Sequence, residues 1–316
     1  MIDNKKISKF AISIVEELQK NNYQAFLVGG CVRDLLCSIV PKDFDIATNA
    51  TPNEIRKIFK ASRIIGRRFK LVHIFNRSEL IEVATFRSGD DHDKEGNLVK
   101  DQSGKILRDN IWGTLEQDTF RRDFTINALY YCPTSGKIED HNSGIKHIRD
   151  KKIVSIGDPS KRFSEDPVRS LRAIRFSNKL NFKIDSNIKD AIYKKGHLLS
   201  NISNARIFDE FCKIFLNGLA EKNFRKLVSF GLNRYLIITN PNENAFSDQL
   251  INEALRNTDN RVKKNKSVTP GFLIAAMLWP ELIKKSSKGG EINLRKFFRS
   301  MDQVLKSQQK ITAIPR

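Results

Sequence analysis

The chain has 316 residues, 40% of them hydrophobic, which is enough for a sizeable core and for two or three structural units. Its formal net charge of +20 and pI near 9.8 imply a polyanionic partner, nucleic acid first, with an anionic membrane surface as the rival. No apolar run approaches the roughly 18 residues of a spanning helix, and Met1-Ile-Asp-Asn-Lys5 lacks a signal-peptide core, so the expectation is a cytoplasmic protein away from the membrane.

In chain order, Ile7, Phe10, Ala11, Ile14, Val15 and Leu18 recur at helical spacing and predict an amphipathic first helix. Phe26-Leu-Val-Gly-Gly-Cys-Val-Arg-Asp-Leu-Leu36 then reads as a buried strand, a diglycine turn and a helix start. Glycine lets backbone N–H groups approach a ligand, and a helix start offers unpaired donors, so Gly29 and Gly30 form a candidate phosphate cradle. Arg33, in the first turn, carries a fork suited to phosphate oxygens. Lys42-Asp-Phe-Asp-Ile-Ala47 reads as a second strand on which Asp43 and Asp45 share one face while Phe44 and Ile46 point into the core. Two carboxylates side by side repel unless a cation neutralises them, and the hard cation that suits oxygen ligands beside phosphate is Mg²⁺. Taken singly, a diglycine is also just a tight turn, and Asp-x-Asp also just a solvated strand end.

Thr51-Pro-Asn-Glu54 is a capping box opening a helix from Asn53 to Lys60. Lys70–Phe75 and Leu80–Phe86 predict a hairpin, with Glu82 on the face opposite Ile81 and Val83, where it could meet Asp43 and Asp45 as a third carboxylate. An exposed strand glutamate is the plain alternative. Ser88 to Lys105 is almost devoid of apolar residues and reads as a mobile loop. Leu115–Tyr131 reads as one helix with Phe120, Phe124 and Ala128 on the buried side, leaving Arg121, Arg122, Asp123 and Asn127 on or near the other. Arginines there can hold a triphosphate and an aspartate a ribose hydroxyl; an Asp118–Arg122 pair on a solvated helix is the alternative.

Gly157-Asp-Pro159 marks a boundary. Beyond it, Ser164–Phe176 predicts a helix, with Asp166, Arg169 and Arg172 roughly on one ridge. A carboxylate and guanidinium on one ridge can present an acceptor and donors to a base edge, although acid-then-base order also simply complements the helix dipole. From Arg206 onward the periodicity stays helical, through Asp248–Arg256 and Pro270–Leu278, interrupted by the basic stretches Lys263-Lys-Asn-Lys266 and Lys284-Lys-Ser-Ser-Lys288. Cys31, Cys37, Cys132 and Cys212 show no metal spacing and read as buried thiols in a reducing compartment. His73, His92, His141, His147 and His197 are scattered, with no His-based metal site. The architecture expected is α+β: a mixed α/β head to about Asp150, then helices to the end.

Six segments in order resemble the bacterial class II nucleotidyltransferases, the family of poly(A) polymerase I and the tRNA CCA-adding enzymes. They are Leu27–Asp34, Asp43-Phe-Asp45, Glu82–Arg87, Arg121–Ala128, Glu165–Arg169 and Arg206–Glu210. The resemblance implies a polymerase-β-like head at residues 1–150, an all-α neck at 151–225 that recognises the nucleotide base, and an RNA-binding helical body at 226–316. It implies that Asp43 and Asp45 bind two Mg²⁺ ions with Glu82 as third carboxylate, and that Gly29, Gly30 and Arg33 lie at the triphosphate. Arg122 and Asp123 would serve phosphates and ribose beside Asn127, and Asp166 and Arg169, on the ridge with Arg172, would read the base. The activity implied is template-independent addition of AMP from ATP to RNA 3′ ends, on mRNA, small RNA and tRNA. Ile64–His73, Leu107–Gly113 and Leu129–Tyr131 resemble the poly(A) polymerase branch; CCA addition is the alternative, and a non-catalytic RNA-binding protein the alternative of another class. Polymerases of this type continue past the position of Ala313-Ile-Pro-Arg316 with further helices and a basic tail, whereas this sequence stops there, so the alternatives are a truncated sequence or an abbreviated body, and RNA grip and processivity stay open.

Overall fold

The computed structural model describes residues 2–66, 70–77, 79–88, 98–100, 106–109, 112–239, 245–288, 291–292 and 294–314. Contacts divide the chain into two compact units, Met1–Glu165 and Asp166–Arg316.

The first unit opens with α1 (Lys9–Lys20), capped by the Ser8 hydroxyl, then β1 (Ala25–Val28), α2 (Gly30–Leu36), β2 (Asp45–Thr48) and α3 (Pro52–Ile58). The Thr51/Glu54 capping box forms as expected. There follow β3 (Ser62–Ile65), β4 (Leu71–Asn76), β5 (Glu79–Thr85), β6 (Leu98–Lys100), β7 (Ile106–Asp109), α4 (Leu115–Arg121), β8 (Leu129–Tyr131), β9 (Ile138–Asp140), α5 (Gly144–Arg149), β10 (Lys152–Ile153) and α6 (Pro159–Glu165). Seven strands form one sheet in the order β3-β4-β5-β2-β1-β8-β9, with β2 and β5 parallel and the other pairs antiparallel.

Side-chain alternation gives the sheet two unlike faces. Leu27, Ile46, Val72, Ile74, Ile81 and Val83 point to one face and bury themselves against α1, α2 and α3. Phe26, Val28, Ala47 and Tyr130 point to the other, where among the described residues only a small cluster with Phe86 and Leu115 covers them. The uncovered remainder of that second face is where the polar residues gather.

Three expectations need correction. Residues 115–131 are not one helix: α4 ends at Arg121, Arg122 is extended, a single turn of 3₁₀ helix spans Thr125–Asn127, and Leu129–Tyr131 is a strand. Helical spacing lost to tertiary pairing, because β8 hydrogen-bonds to both β1 and β9. Asp123 Oδ1 also accepts from the Phe124 N–H at 2.8 Å, a local bond that competes with the helix, and Phe120, expected inside, is 50% exposed. The expected loop from Ser88 to Lys105 contains β6, which pairs with β7; residues 89–97 and 101–105 lie outside the described ones. The helix expected over Ser164–Phe176 is two: Ser164 and Glu165 end α6, and a new helix begins after Pro167.

The second unit is almost entirely helical: α7 (Val168–Leu180), a two-residue strand β11 (Lys183–Ile184), α8 (Ser186–Lys195), α9 (Asn204–Phe215), α10 (Ala220–Ser229), α11 (Ala245–Lys263), α12 (Pro270–Ser286), the short strands β12 (Ser287–Lys288) and β13 (Glu291–Ile292), and α13 (Leu294–Gln309). Its core is apolar, with Leu171, Ile174, Phe211, Phe215 and Leu227 fully buried and the Phe211 and Phe215 rings 4.7 Å apart. Among the described residues no helix is long and apolar enough to cross a membrane.

Candidate active site

Gly29 has φ +76°, a left-handed conformation that favours glycine, and caps α2 without any side chain. A Cβ there would stand 3.1 Å from the Arg122 Nη1. The diglycine turn is therefore held open directly beside a guanidinium. Arg33 does not stand free in the first turn. It is 3% exposed and donates to Asp34 Oδ1 (2.9 and 2.6 Å) and Asn127 Oδ1 (2.5 Å). Asn127 in turn donates to Asp123 Oδ1 at 3.0 Å, so Arg33, Asn127 and Asp123 form one buried chain behind the turn.

Strand β2 begins only at Asp45, with Asp43 in the preceding extended segment, yet the alternation holds: Asp43 and Asp45 are exposed while Phe44 and Ile46 are buried. In the parallel β2–β5 ladder Asp45 lies directly beside Glu82, on the uncovered face. Across the next pair His73 lies opposite Glu82, and its Nε2 is 3.1 Å from Glu82 Oε1; Arg63 lies opposite His73 on β3. Arg63, His73, Glu82 and Asp45 thus make one row over four neighbouring strands. Sequence reading gave His73 no role at the site, although it closes the branch-like segment Ile64–His73, since cross-strand neighbours depend on register.

Although Asp45 reaches solvent, its carboxyl is pushed up to about 6. The protein crowded around it is the largest cause, followed by Glu82; Arg122 acts in the opposite direction, and Asp43 again raises it. Such mutual repulsion is what a bound cation would relieve. All three groups offer hard oxygen donors, which fits Mg²⁺. Among the described residues no three such side chains close around a metal by themselves. An ion here would complete its shell with water and phosphate oxygens, as Mg²⁺ ordinarily does.

Arg122 is held by three groups: Nε donates to the Tyr130 hydroxyl (2.9 Å), Nη2 to Asp118 Oδ2 (3.2 Å) and Nη1 to the Asn127 carbonyl (3.4 Å). The Asp118–Arg122 pair weighed as the plain alternative does form, and it aims the guanidinium rather than wasting it on solvent. Burial works against the charge on Arg122, but Tyr130 and Asp118 outweigh it and keep the group cationic. Burial likewise pushes Asp118 up, but Arg122 and the Tyr130 hydroxyl pull it below the ordinary carboxylate range. Behind them Arg162, on α6, donates to the carbonyls of Arg121 (2.6 Å), Arg122 (2.8 Å) and Phe120 (3.3 Å), satisfying the end of α4. Arg162 is a supporting residue that sequence reading did not single out.

In the second unit, Asp166 precedes α7, while Arg169 and Arg172 lie within it, half-buried. Asp166 Oδ2 accepts from Arg206 Nη2 at 2.8 Å, joining two of the six sequence segments, and its Oδ1 is buried without a hydrogen-bond partner among the described residues. Arg172 lies with its Cζ 5.3 Å from the Phe176 ring centroid.

Comparison with known proteins identifies the family of the chain. Residues 25–154 match the model of the poly A polymerase head domain, and residues 181–241 the model described as the probable RNA and SrmB-binding site of polymerase A. Poly(A) polymerase I of Haemophilus influenzae is 40% identical over 326 aligned positions, which cover all of this chain and 72% of that protein. A CCA-adding enzyme of Anoxybacillus flavithermus is 36% identical over 226 positions, 72% of this chain and 55% of that one. Among solved structures, the Thermotoga maritima CCA-adding enzyme complexed with tRNA superposes with TM-score 0.68 at 22% identity, covering all of this chain and 68% of that one, and shows the shared fold. The row of carboxylates, the diglycine turn and these likenesses place the chain in the poly(A) polymerase family of RNA nucleotidyltransferases.

Proposed function

We propose that this protein adds AMP from ATP to RNA 3′ ends without a template, releasing pyrophosphate. The observation that carries this reading is the Asp45–Glu82 pairing beside Arg122 and the diglycine turn, in a chain 40% identical over its whole length to a poly(A) polymerase I. Asp43, Asp45 and Glu82 would hold Mg²⁺, which when bound supplies charge stabilisation for the attacking hydroxyl and the leaving pyrophosphate. Gly29 and Gly30 offer backbone N–H groups to the triphosphate, and Arg122 neutralises it from the side. Arg33 and Asn127 act from behind by bracing the turn and Asp123, which accepts from the ribose. Asp166 offers its unpartnered oxygen to an amino group on the base, and Arg169 donates to the neighbouring ring nitrogen, with Arg172 supporting.

Adenine and cytosine both present an amino donor beside a ring acceptor, so this pair alone admits ATP and CTP. The higher identity and fuller coverage of the poly(A) polymerase relatives favour ATP. The assignment of residues 1–150 to catalysis, 151–225 to base recognition and 226–316 to RNA grip is part of the same proposal. So are a cytoplasmic setting and a substrate range of mRNA, small RNA and tRNA, held through backbone charge rather than base sequence. Incubation with tRNA lacking CCA, all four nucleotides and Mg²⁺, followed by sequencing of 3′ ends, tests it. Oligo(A) of mixed length is expected; a discrete CCA end would overturn the assignment.

A further inference from the structure

In the second unit, α11 and α12 border an open cavity of about 670 Å³. This is within the range of about 300–1,000 Å³ typical of ligand pockets. Helix α11 lays Asn257, Asn260 and Arg261 along it at i, i+3 and i+4, and Lys264 follows one residue past the end of the helix. Arg256 and Lys266 complete four cations against one carboxylate, Glu253, which Arg256 already engages at 3.2 Å. Arg261 is spent on the Ser267 carbonyl, donating from Nε (3.0 Å) and Nη2 (2.9 Å). Lys264 and Lys266 have no carboxylate within salt-bridge distance among the described residues and supply the available charge.

One side of the cavity is aromatic. Phe272, in the first turn of α12, is 56% exposed and stands between this cavity and a second of about 330 Å³, which shares Asn257, Arg261 and Phe272 with it. Ala276 and Trp279 follow Phe272 at i+4 and i+7 on the same helix face, and Trp279 is itself 42% exposed. A lone exposed phenylalanine needs no explanation. An exposed ring flanked by two cavities, free lysines and amide side chains is the combination that single-stranded nucleic acid uses: bases stack on the ring while cations follow the phosphates.

We propose that the Phe272 cleft between α11 and α12 is a binding site for single-stranded RNA, with a base stacked on Phe272 and adjoining phosphates on Lys264 and Lys266. It lies outside residues 25–154 and 181–241 matched by the family models. The reading of this chain as an RNA-tailing enzyme supplies the source of the RNA, and on that reading the cleft grips primer or tail without taking part in chemistry. A duplex has no free base face to offer, and an acidic protein surface would use the lysines and leave the ring idle.

The test is fluorescence anisotropy of the full chain, without nucleotide or Mg²⁺, using a labelled 12-residue oligo(A), its duplex and inorganic polyphosphate as probes. Phe272→Leu keeps an exposed apolar side chain and should weaken oligo(A) binding about fivefold or more, the loss of one stacked base, while leaving duplex and polyphosphate unchanged. Phe272→Trp should retain affinity and show emission quenched by oligo(A) and not by polyphosphate. The Lys264→Glu/Lys266→Glu double variant should weaken all three probes and reduce the salt slope by roughly one to two. Unchanged oligo(A) affinity in Phe272→Leu, or an equal loss for polyphosphate, overturns the site in favour of a plain anion patch. AMP addition at saturating primer, measured on the same preparations, should be equal in wild type and Phe272→Leu. Absence of addition in both would count against the proposed function while leaving the binding result standing.

Discussion

The carboxylate face of the first unit and the Phe272 cleft of the second solve opposite problems. Around Asp45 nearly every polar group is already engaged: Arg33 with Asp34 and Asn127, Arg122 with Asp118 and Tyr130, Glu82 with His73. Such pre-aimed charge stabilises a transition state without reorganising as the reaction proceeds. Around Phe272 the ring is exposed and the two lysines lie in the turn just past the end of α11. That arrangement suits a ligand of varied sequence, where adaptability matters more than precision. Substitutions in the first region should therefore cost rate or stability, and those in the second only affinity.

The sharpest break is Asp45→Ala or Asp43→Ala, which should lower AMP addition by roughly 10³-fold or more while oligo(A) affinity stays within about twofold. Single-turnover extension beside anisotropy decides it, and appreciable turnover by either variant would remove the two-metal assignment. Next comes Arg122→Ala, expected to cost about 3 kcal/mol at neutral pH because it strands buried Asp118. The sign with pH is informative. In wild type Asp118 sits below its ordinary value, so its contribution is present above the ordinary carboxylate range and fades as pH falls through the depressed value. With Arg122 gone, burial dominates, and the variant's deficit should shrink on acidification; urea titrations at neutral and acid pH measure this.

Arg169→Ala should reduce the preference for ATP over the other nucleotides by about 1–3 kcal/mol, more than it slows the best substrate. Unchanged kcat/KM ratios would leave Asp166 and Arg169 as a helix start and nothing more. The smallest expected effect is His73→Ala, up to about fivefold in kcat, because the His73–Glu82 pair is partly exposed. His73→Gln, which keeps a donor toward Glu82, should recover most of the loss, and a Mn²⁺ titration followed by electron paramagnetic resonance should show weaker ion binding in the alanine variant alone.

The sequence alone was enough to locate the carboxylates, the diglycine turn, the Thr51 cap and the change from a mixed sheet to helices along the chain. Each of these rests on spacing within a few residues: alternation along a strand, a glycine that must take positive φ, a cap three residues from its partner. What only tertiary structure decided was which of these residues meet. Asp45 lies beside Glu82 because β2 and β5 run parallel with no offset, and His73 joins them through β4, contacts set by register between segments that local pattern does not link. The same cause broke the expected helix at 115–131. Its spacing by four is real, but pairing Leu129–Tyr131 between β1 and β9 satisfies backbone groups and leaves Tyr130 fully buried. Arg162 and Phe272 went unread for one shared reason: an arginine that caps another helix and an aromatic left outside the core look, in one dimension, like any other arginine and phenylalanine.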